Sequence, residues 1–139
     1  MKKNSSKNKK FPEYDFLGSI YKNTKQNELK ESFESIRNQT LQPKNIILVI
    51  DGFIEKEVSD LVNEYKKILP IKIISLEKNF GLGLALRKGL QKCQSSIVLR
   101  FDSDDINLQY RAQYLVEELN KGFADIVGSN AYEFTDNPQ

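Results

Sequence analysis

Ile97-Val98-Leu99-Arg100-Phe101-Asp102-Ser103-Asp104-Asp105-Ile106 changes character abruptly at Asp102. The first part is a short run rich in branched residues, the length and composition of a buried strand. The second part places three carboxylates within four residues. Carboxylates crowded in this way repel one another and raise one another's pKa values unless a cation sits among them. An all-oxygen cluster suits a hard divalent ion, Mg²⁺ or Mn²⁺, which also holds phosphate oxygens. The competing reading is a solvated turn in which one Asp caps the following helix.

Outward from that stretch, the chain alternates between two periods. Strands are expected at Tyr14–Tyr21, Asn45–Ile50, Ile71–Leu76, Ser96–Phe101 and Ala124–Val127. Helices are expected at Gln26–Gln39, Lys56–Leu69, Leu82–Cys93 and Leu108–Lys121, the second stopped by Pro70. The inward faces read Leu29, Phe33 and Ile36, then Val58, Leu61, Val62, Tyr65 and Leu69, then Tyr110, Tyr114, Leu115 and Leu119. Strands as apolar as Asn45–Ile50 (NIILVI) are covered on both faces, and regular alternation with helices implies a mostly parallel α/β sheet with helices on both sides.

Composition sets the limits. At 139 residues, 39% hydrophobic and 29% charged, the chain fits one globular domain. It has no histidine and one cysteine, which excludes His-based zinc sites, Ser-His and Cys-His chemistry and an internal disulfide, and makes a reducing compartment the simpler expectation. No apolar run approaches the ~20 residues of a membrane-spanning helix. The formal net charge is +2, but Lys2, Lys3, Lys7, Lys9 and Lys10 contribute five positive charges, leaving −3 on the rest. Residues 1–13 therefore read as a disordered basic tail and 14–139 as the folded domain. The tail is a solvated leader or a peripheral contact with anionic lipid at the inner face of the membrane, in a cytoplasmic protein; no nucleic-acid partner is expected.

Ligands of a parallel sheet bind beyond the carboxyl ends of its strands. Four such ends carry polar groups: Tyr21-Lys22-Asn23, Asp51-Gly52, Lys78-Asn79-Phe80-Gly81-Leu82-Gly83 and the acidic cluster. Tyr21 can stack on a nucleobase, or be a half-buried strand-end residue. Asp51 can accept from a base N–H or a ribose hydroxyl, or belong to an ordinary Asp-Gly turn. Gly81 and Gly83 at a helix start suit close approach of a phosphate. Lys78, Arg87, Lys88 and Arg100 can balance diphosphate charge, or lie on solvated faces.

In order and spacing these segments resemble the family 2 inverting glycosyltransferases of the GT-A, Rossmann-like fold, over about Gly18 to Gly128. Ser35-Ile36-Arg37-Asn38-Gln39-Thr40 is similar to the family's "SIxxQT" helix end, Asp51-Gly52 to its "DDGS" turn, Asn79-Phe80-Gly81-Leu82-Gly83-Leu84-Ala85 to its "NxGxxxA" segment, and Asp102-Ser103-Asp104-Asp105 to its DXD region. Arg111 is similar to an arginine that the family carries a few residues after the DXD region, and Asp125-Ile126-Val127-Gly128 to its next strand. The resemblance implies donor binding by Tyr21, Asp51, Asn79, Gly81, Arg100 and Asp102. It implies Mn²⁺ or Mg²⁺ held by Asp102, Asp104 and Asp105, a UDP-sugar donor and a saccharide or lipid-linked acceptor, as in polysaccharide biosynthesis.

The departures are Ile50 in place of the first acid of "DDGS", Ala85-Leu86-Arg87 in place of the frequent "ARN", and Gln109 in place of a proline. Family members continue past residue 139, so the resemblance implies a chain cut before the acceptor half. The catalytic base is unknown and expected beyond the C-terminus; Glu133 and Asp136 are the only acids of the last segment. Two other classes are open. A nucleotidyltransferase of similar sheet calls for a basic, glycine-rich loop after the first strand, where Tyr21-Lys22-Asn23-Thr24 stands. A non-catalytic regulatory domain with an acidic pocket calls for an Asp at the third strand end and a Lys at the fifth.

Overall fold

The structure, a computed structural model, describes residues 10–135. Four strands and four helices alternate: β1 (Tyr14–Ile20), α1 (Gln26–Arg37), β2 (Asn45–Asp51), α2 (Lys56–Tyr65), β3 (Ile71–Leu76), α3 (Leu82–Leu90), β4 (Ile97–Arg100) and α4 (Arg111–Asn120). The strands form one all-parallel sheet in the order β3-β2-β1-β4. The order reverses at β1, so a crevice opens between the carboxyl ends of β1 and β4.

Period-two alternation sorts the apolar residues to opposite faces. Tyr14, Phe16, Ile20, Ile46 and Leu48 face one side, where Leu29, Phe33 and Ile36 of α1, Val58, Leu61, Val62 and Tyr65 of α2, and Ala112, Leu115 and Val116 of α4 cover them. Leu17, Ile47 and Val49 face the other side, against Ala85 and Leu86 of α3. The chain is thus α/β with helices on both faces, as its periodicity indicates. Among the described residues no helix is long and apolar enough to cross a membrane.

Most elements end within a few residues of the sequence reading, and the larger differences lie toward the C-terminal end. Helix α4 begins at Arg111 rather than Leu108, and the residues before it stay irregular. No Asp caps that helix; its N-cap is Tyr110 and makes no side-chain capping bond, so the capping explanation of the acidic cluster does not hold. Ala124–Val127 is not a strand, and Ile126 is 91% exposed. Asp125 interrupts that short apolar run, and no neighbouring strand supplies the ladder bonds without which an isolated strand is unstable. At the other end, residues 1–9 of the lysine-rich segment lie outside the described residues. Phe11 packs partly buried against the core, and Glu13 accepts from Lys44 Nζ at 2.6 Å.

Candidate functional site

A cleft of about 620 Å³ opens at the carboxyl ends of the strands. Ser19 and Tyr21 come from β1 and its end, Asp51 from β2, Asn79, Gly81 and Leu82 from the β3–α3 connection, and Arg100, Asp102, Ser103 and Asp104 from the end of β4. The six residues to which the sequence assigned donor contact all line this cleft, although they come from four separate segments.

The β1 wall is a tight turn. Thr24 N–H donates to Tyr21 C=O at 3.0 Å, and Tyr21 N–H donates to Thr24 Oγ1 at 3.0 Å. This leaves the Tyr21 ring at the rim, 43% exposed and available for stacking. Further in, Gly18 lies under the Phe101 ring. A Cβ there would stand 2.4 Å from Phe101 Cζ, so the absent side chain lets Phe101, the residue before the acids, lie across β1.

Asp51 is almost fully buried, and its carboxylate is already committed. Oδ1 accepts from Phe80 N–H at 2.8 Å and Oδ2 from Gly81 N–H at 2.9 Å, while Asn79 Nδ2 donates to the Asp51 carbonyl at 3.3 Å. Gly52 turns at a φ of 83°, open to glycine at little cost, and passes so close that a Cβ would meet Asn79 N at 2.6 Å. Asp51 therefore braces the β3–α3 loop and places a negative charge beside the N-terminus of α3, where the helix dipole favours it. The sequence offered that helix start for phosphate; the structure sets an internal carboxylate next to it. Of the cations proposed to balance a diphosphate, Lys78 and Lys88 flank the Phe80 ring at 5.3 and 4.8 Å from its centroid, and Arg100 alone lines the cleft.

Asp102 and Asp104 line the cleft, and Asp105 does not. Asp102 Oδ1 accepts from Arg100 at 2.5 Å, and the Asp102 carbonyl accepts from Ser32 Oγ at 3.1 Å and Asp105 N–H at 3.2 Å. Burial and then the charges of Asp102 and Asp104 push the Asp105 carboxyl above the usual carboxylate range, with Arg111 opposing. Among the described residues no three metal-ligating side chains converge. Asp102 and Asp104 thus share the cleft wall, while Asp105 stands beside them on the same turn outside the lining. Two carboxylates still fit Mg²⁺ or Mn²⁺, which keep several waters and complete their shells with substrate phosphate oxygens. The charge count agrees: three lining carboxylates against one guanidinium leave the cleft two negative charges in excess, the amount one divalent cation neutralises.

A parallel sheet with a cleft at the β1/β4 reversal, bordered by a paired-acid loop, is an α/β fold of the GT-A type. The solved structures agree. The Staphylococcus aureus TarS crystal structure superposes with a TM-score of 0.71 at 21% identity, over 88% of this chain and 23% of that one. A Pyrobaculum calidifontis mannosyltransferase, solved with GDP-Man and Mn²⁺, superposes at 0.67 and 17% identity, over 86% and 35%.

The model of glycosyl transferase family 2 matches residues 19–139, and the chain belongs to that family. It is 36% identical over 128 residues to the UDP-Gal:alpha-D-GlcNAc-diphosphoundecaprenol beta-1,3-galactosyltransferase of Escherichia coli, covering 91% of this chain and 46% of that relative. It is 39% identical over 98 residues to the amylovoran biosynthesis glycosyltransferase AmsE of Erwinia amylovora, covering 70% and 37%. The chain thus spans less than half the length of these relatives.

Proposed function

We propose that the chain is the donor-binding part of a glycosyltransferase and takes a nucleotide-diphospho-sugar, with UDP as the nucleotide, together with Mn²⁺ or Mg²⁺. One observation carries this reading: the cleft joins an exposed aromatic ring, a guanidinium and two carboxylates of the acidic loop, with negative charge in excess. A diphosphate alone would be repelled there; a diphosphate with a divalent cation is not. Tyr21 stacks on the base, the Asp51-braced loop shapes the floor, Asp102 and Asp104 hold the cation, and Arg100 turns its charge toward the diphosphate. When bound, the cation stabilises the charge that builds on the departing nucleoside diphosphate. The relatives support the class: one is named for a UDP-galactose donor and a lipid-diphosphate-linked acceptor. By that analogy the acceptor is a lipid-linked or free saccharide, met at the cytoplasmic face of a membrane.

The test is calorimetric titration with UDP, GDP, dTDP and UMP in Mn²⁺. UDP should bind more tightly than UMP by tenfold or more, since only the diphosphate bridges base wall and cation. Failure of every nucleoside diphosphate to bind would overturn the reading.

A further inference from the structure

The acidic loop has no regular secondary structure of its own between β4 and α4, yet its backbone is held at both ends by one helix. Ser32, Ser35 and Gln39 succeed one another along α1 and its C-terminal turn at helical spacing, and all three are buried. Ser32 Oγ donates to the Asp102 carbonyl at 3.1 Å, at the front of the loop. Ser35 Oγ donates to Ser32 C=O at 2.6 Å and accepts from Asn107 N–H at 3.0 Å and from Asn107 Nδ2 at 3.3 Å, at the back. Gln39 Nε2 donates to Ser35 C=O at 3.1 Å and to the carbonyls of Asn107 and Leu108 at 3.3 and 2.8 Å, and its Oε1 accepts Ala112 N–H at 2.9 Å. Asn107 Oδ1 in turn accepts from Arg111, whose charge bears on Asp105.

We infer that Ser35, Gln39 and Asn107 are positioning residues for the cation site: through the loop backbone they set the spacing of the Asp102 and Asp104 carboxylates in the cleft. Three considerations support this. The network is fully satisfied, with no buried side-chain polar atom left unpartnered among the described residues, and a satisfied buried network is rigid. It grips both ends of the segment that carries the acids and leaves the carboxylates themselves to the cleft. A site of only two carboxylates has no spare ligand to absorb a shift, so its affinity depends on where the loop holds them. This inference rests on the metal-dependent donor reading above and deepens it.

The experiment is UDP titration of Gln39→Ala and Asn107→Ala beside the unaltered chain, each in Mn²⁺ and in EDTA, with thermal melts of all three. Affinity in Mn²⁺ should fall about tenfold or more in both variants, the range seen when groups supporting metal ligands are removed. Affinity in EDTA should stay within twofold. Thr40→Val, which removes bonds from the same helix end to Gln113 of α4 at 2.9 Å and to the Gln109 carbonyl at 3.4 Å, both beyond Asn107, and none to the acids, should leave both arms unchanged. Lower melting temperatures with an unchanged Mn²⁺ affinity, or equal losses in Mn²⁺ and EDTA, would show that the network serves folding alone and overturn the inference. If Gln39→Ala does not fold, Asn107→Ala decides, because it deletes only the side-chain bonds to Ser35 and Arg111. Absence of UDP binding by the unaltered chain would instead bring down the donor reading, and this inference with it.

Discussion

Asp15 and Asp102 lie at opposite ends of one sheet and show what a carboxylate does when its partners are supplied and when they are withheld. Asp15, near the start of β1, is fully buried and accepts from Asn45 Nδ2 at 2.8 Å, Gln94 N–H at 2.6 Å, Ser95 N–H at 3.1 Å and Ser95 Oγ at 3.0 Å. Asp102, just past the end of β4, is 47% exposed at its side chain and shares its cleft with Asp104, with one guanidinium for company. The first carboxylate ties three chain segments together and is finished. The second is short of positive charge, and that shortage is what the proposed cation would fill. Asp51 falls between them: buried and braced like Asp15, yet on the cleft wall like Asp102.

The contrast breaks most visibly if Asp15 is removed. Asp15→Ala leaves several buried donors without an acceptor, each costing about 1–3 kcal/mol. The unfolding free energy from urea titration should drop by about 3 kcal/mol or more. A loss below 1 kcal/mol would mean that water or a rearranged loop replaces the carboxylate. Next in size is Gly18→Ala. The added Cβ collides with the Phe101 ring, and overpacking of this kind costs about 1–3 kcal/mol. Because Phe101 precedes the acids directly, UDP affinity in Mn²⁺ should fall as well; unchanged affinity would separate the end of β4 from the site.

The two ends also answer pH with opposite signs. Burial alone would raise the Asp15 carboxyl, but the N–H groups of Gln94 and Ser95 and the side chains of Asn45 and Ser95 outweigh it and hold it below its ordinary value. Its stabilisation is therefore complete above the unfolded value of about 3.9 and is lost as pH falls through the lower folded value. Asp105 is raised, so its charge costs stability above its folded value, and that cost is relieved as pH falls toward the unfolded one. In melts from pH 7 to 2, Asp15→Asn should flatten the acid limb. Asp105→Asn should leave stability at pH 7 unchanged or slightly higher, by well under 1 kcal/mol at so exposed a residue. Destabilisation by Asp105→Asn would make that residue structural, like Asp15.

How much of this was legible in the sequence depends on the range of each interaction. The apolar runs of β1 to β4 and the stripes of α1 and α2 are local periodicities, so the parallel sheet and its two covered faces could be read directly; in α4 the expected inward Tyr110 and Tyr114 are exposed, and Ala112, Leu115 and Val116 face the core instead. The cleft wall was legible because a parallel sheet brings its carboxyl ends together whatever the loops do. Spacing along an irregular turn does not say which acids share a cavity, so the sequence could not tell that Asp102 and Asp104 line the cleft and Asp105 does not. Ala124–Val127 was over-read because hydrophobicity does not reveal whether a partner strand exists. The brace from Asp51 to Phe80 and Gly81 joins residues 29 and 30 positions apart, and no local pattern encodes it. Ser32, Ser35 and Gln39 left a faint signal, polar residues interleaved with Leu29, Phe33 and Ile36, but their partners lie about 70 positions away.

The central claim is that the excess negative charge of Asp102 and Asp104 is a cation site through which a nucleoside diphosphate is held. Its most direct measurement is UDP titration of the unaltered chain and of Asp104→Asn, each in Mn²⁺ and in EDTA. The account predicts tight binding by the unaltered chain only in Mn²⁺, a loss of about tenfold or more on Asp104→Asn in that condition, and little difference between the two chains in EDTA. Equal binding by both chains in Mn²⁺, or tighter binding by Asp104→Asn in EDTA than by the unaltered chain in Mn²⁺, would contradict it, because the carboxylate would then be only a repulsive charge on the wall.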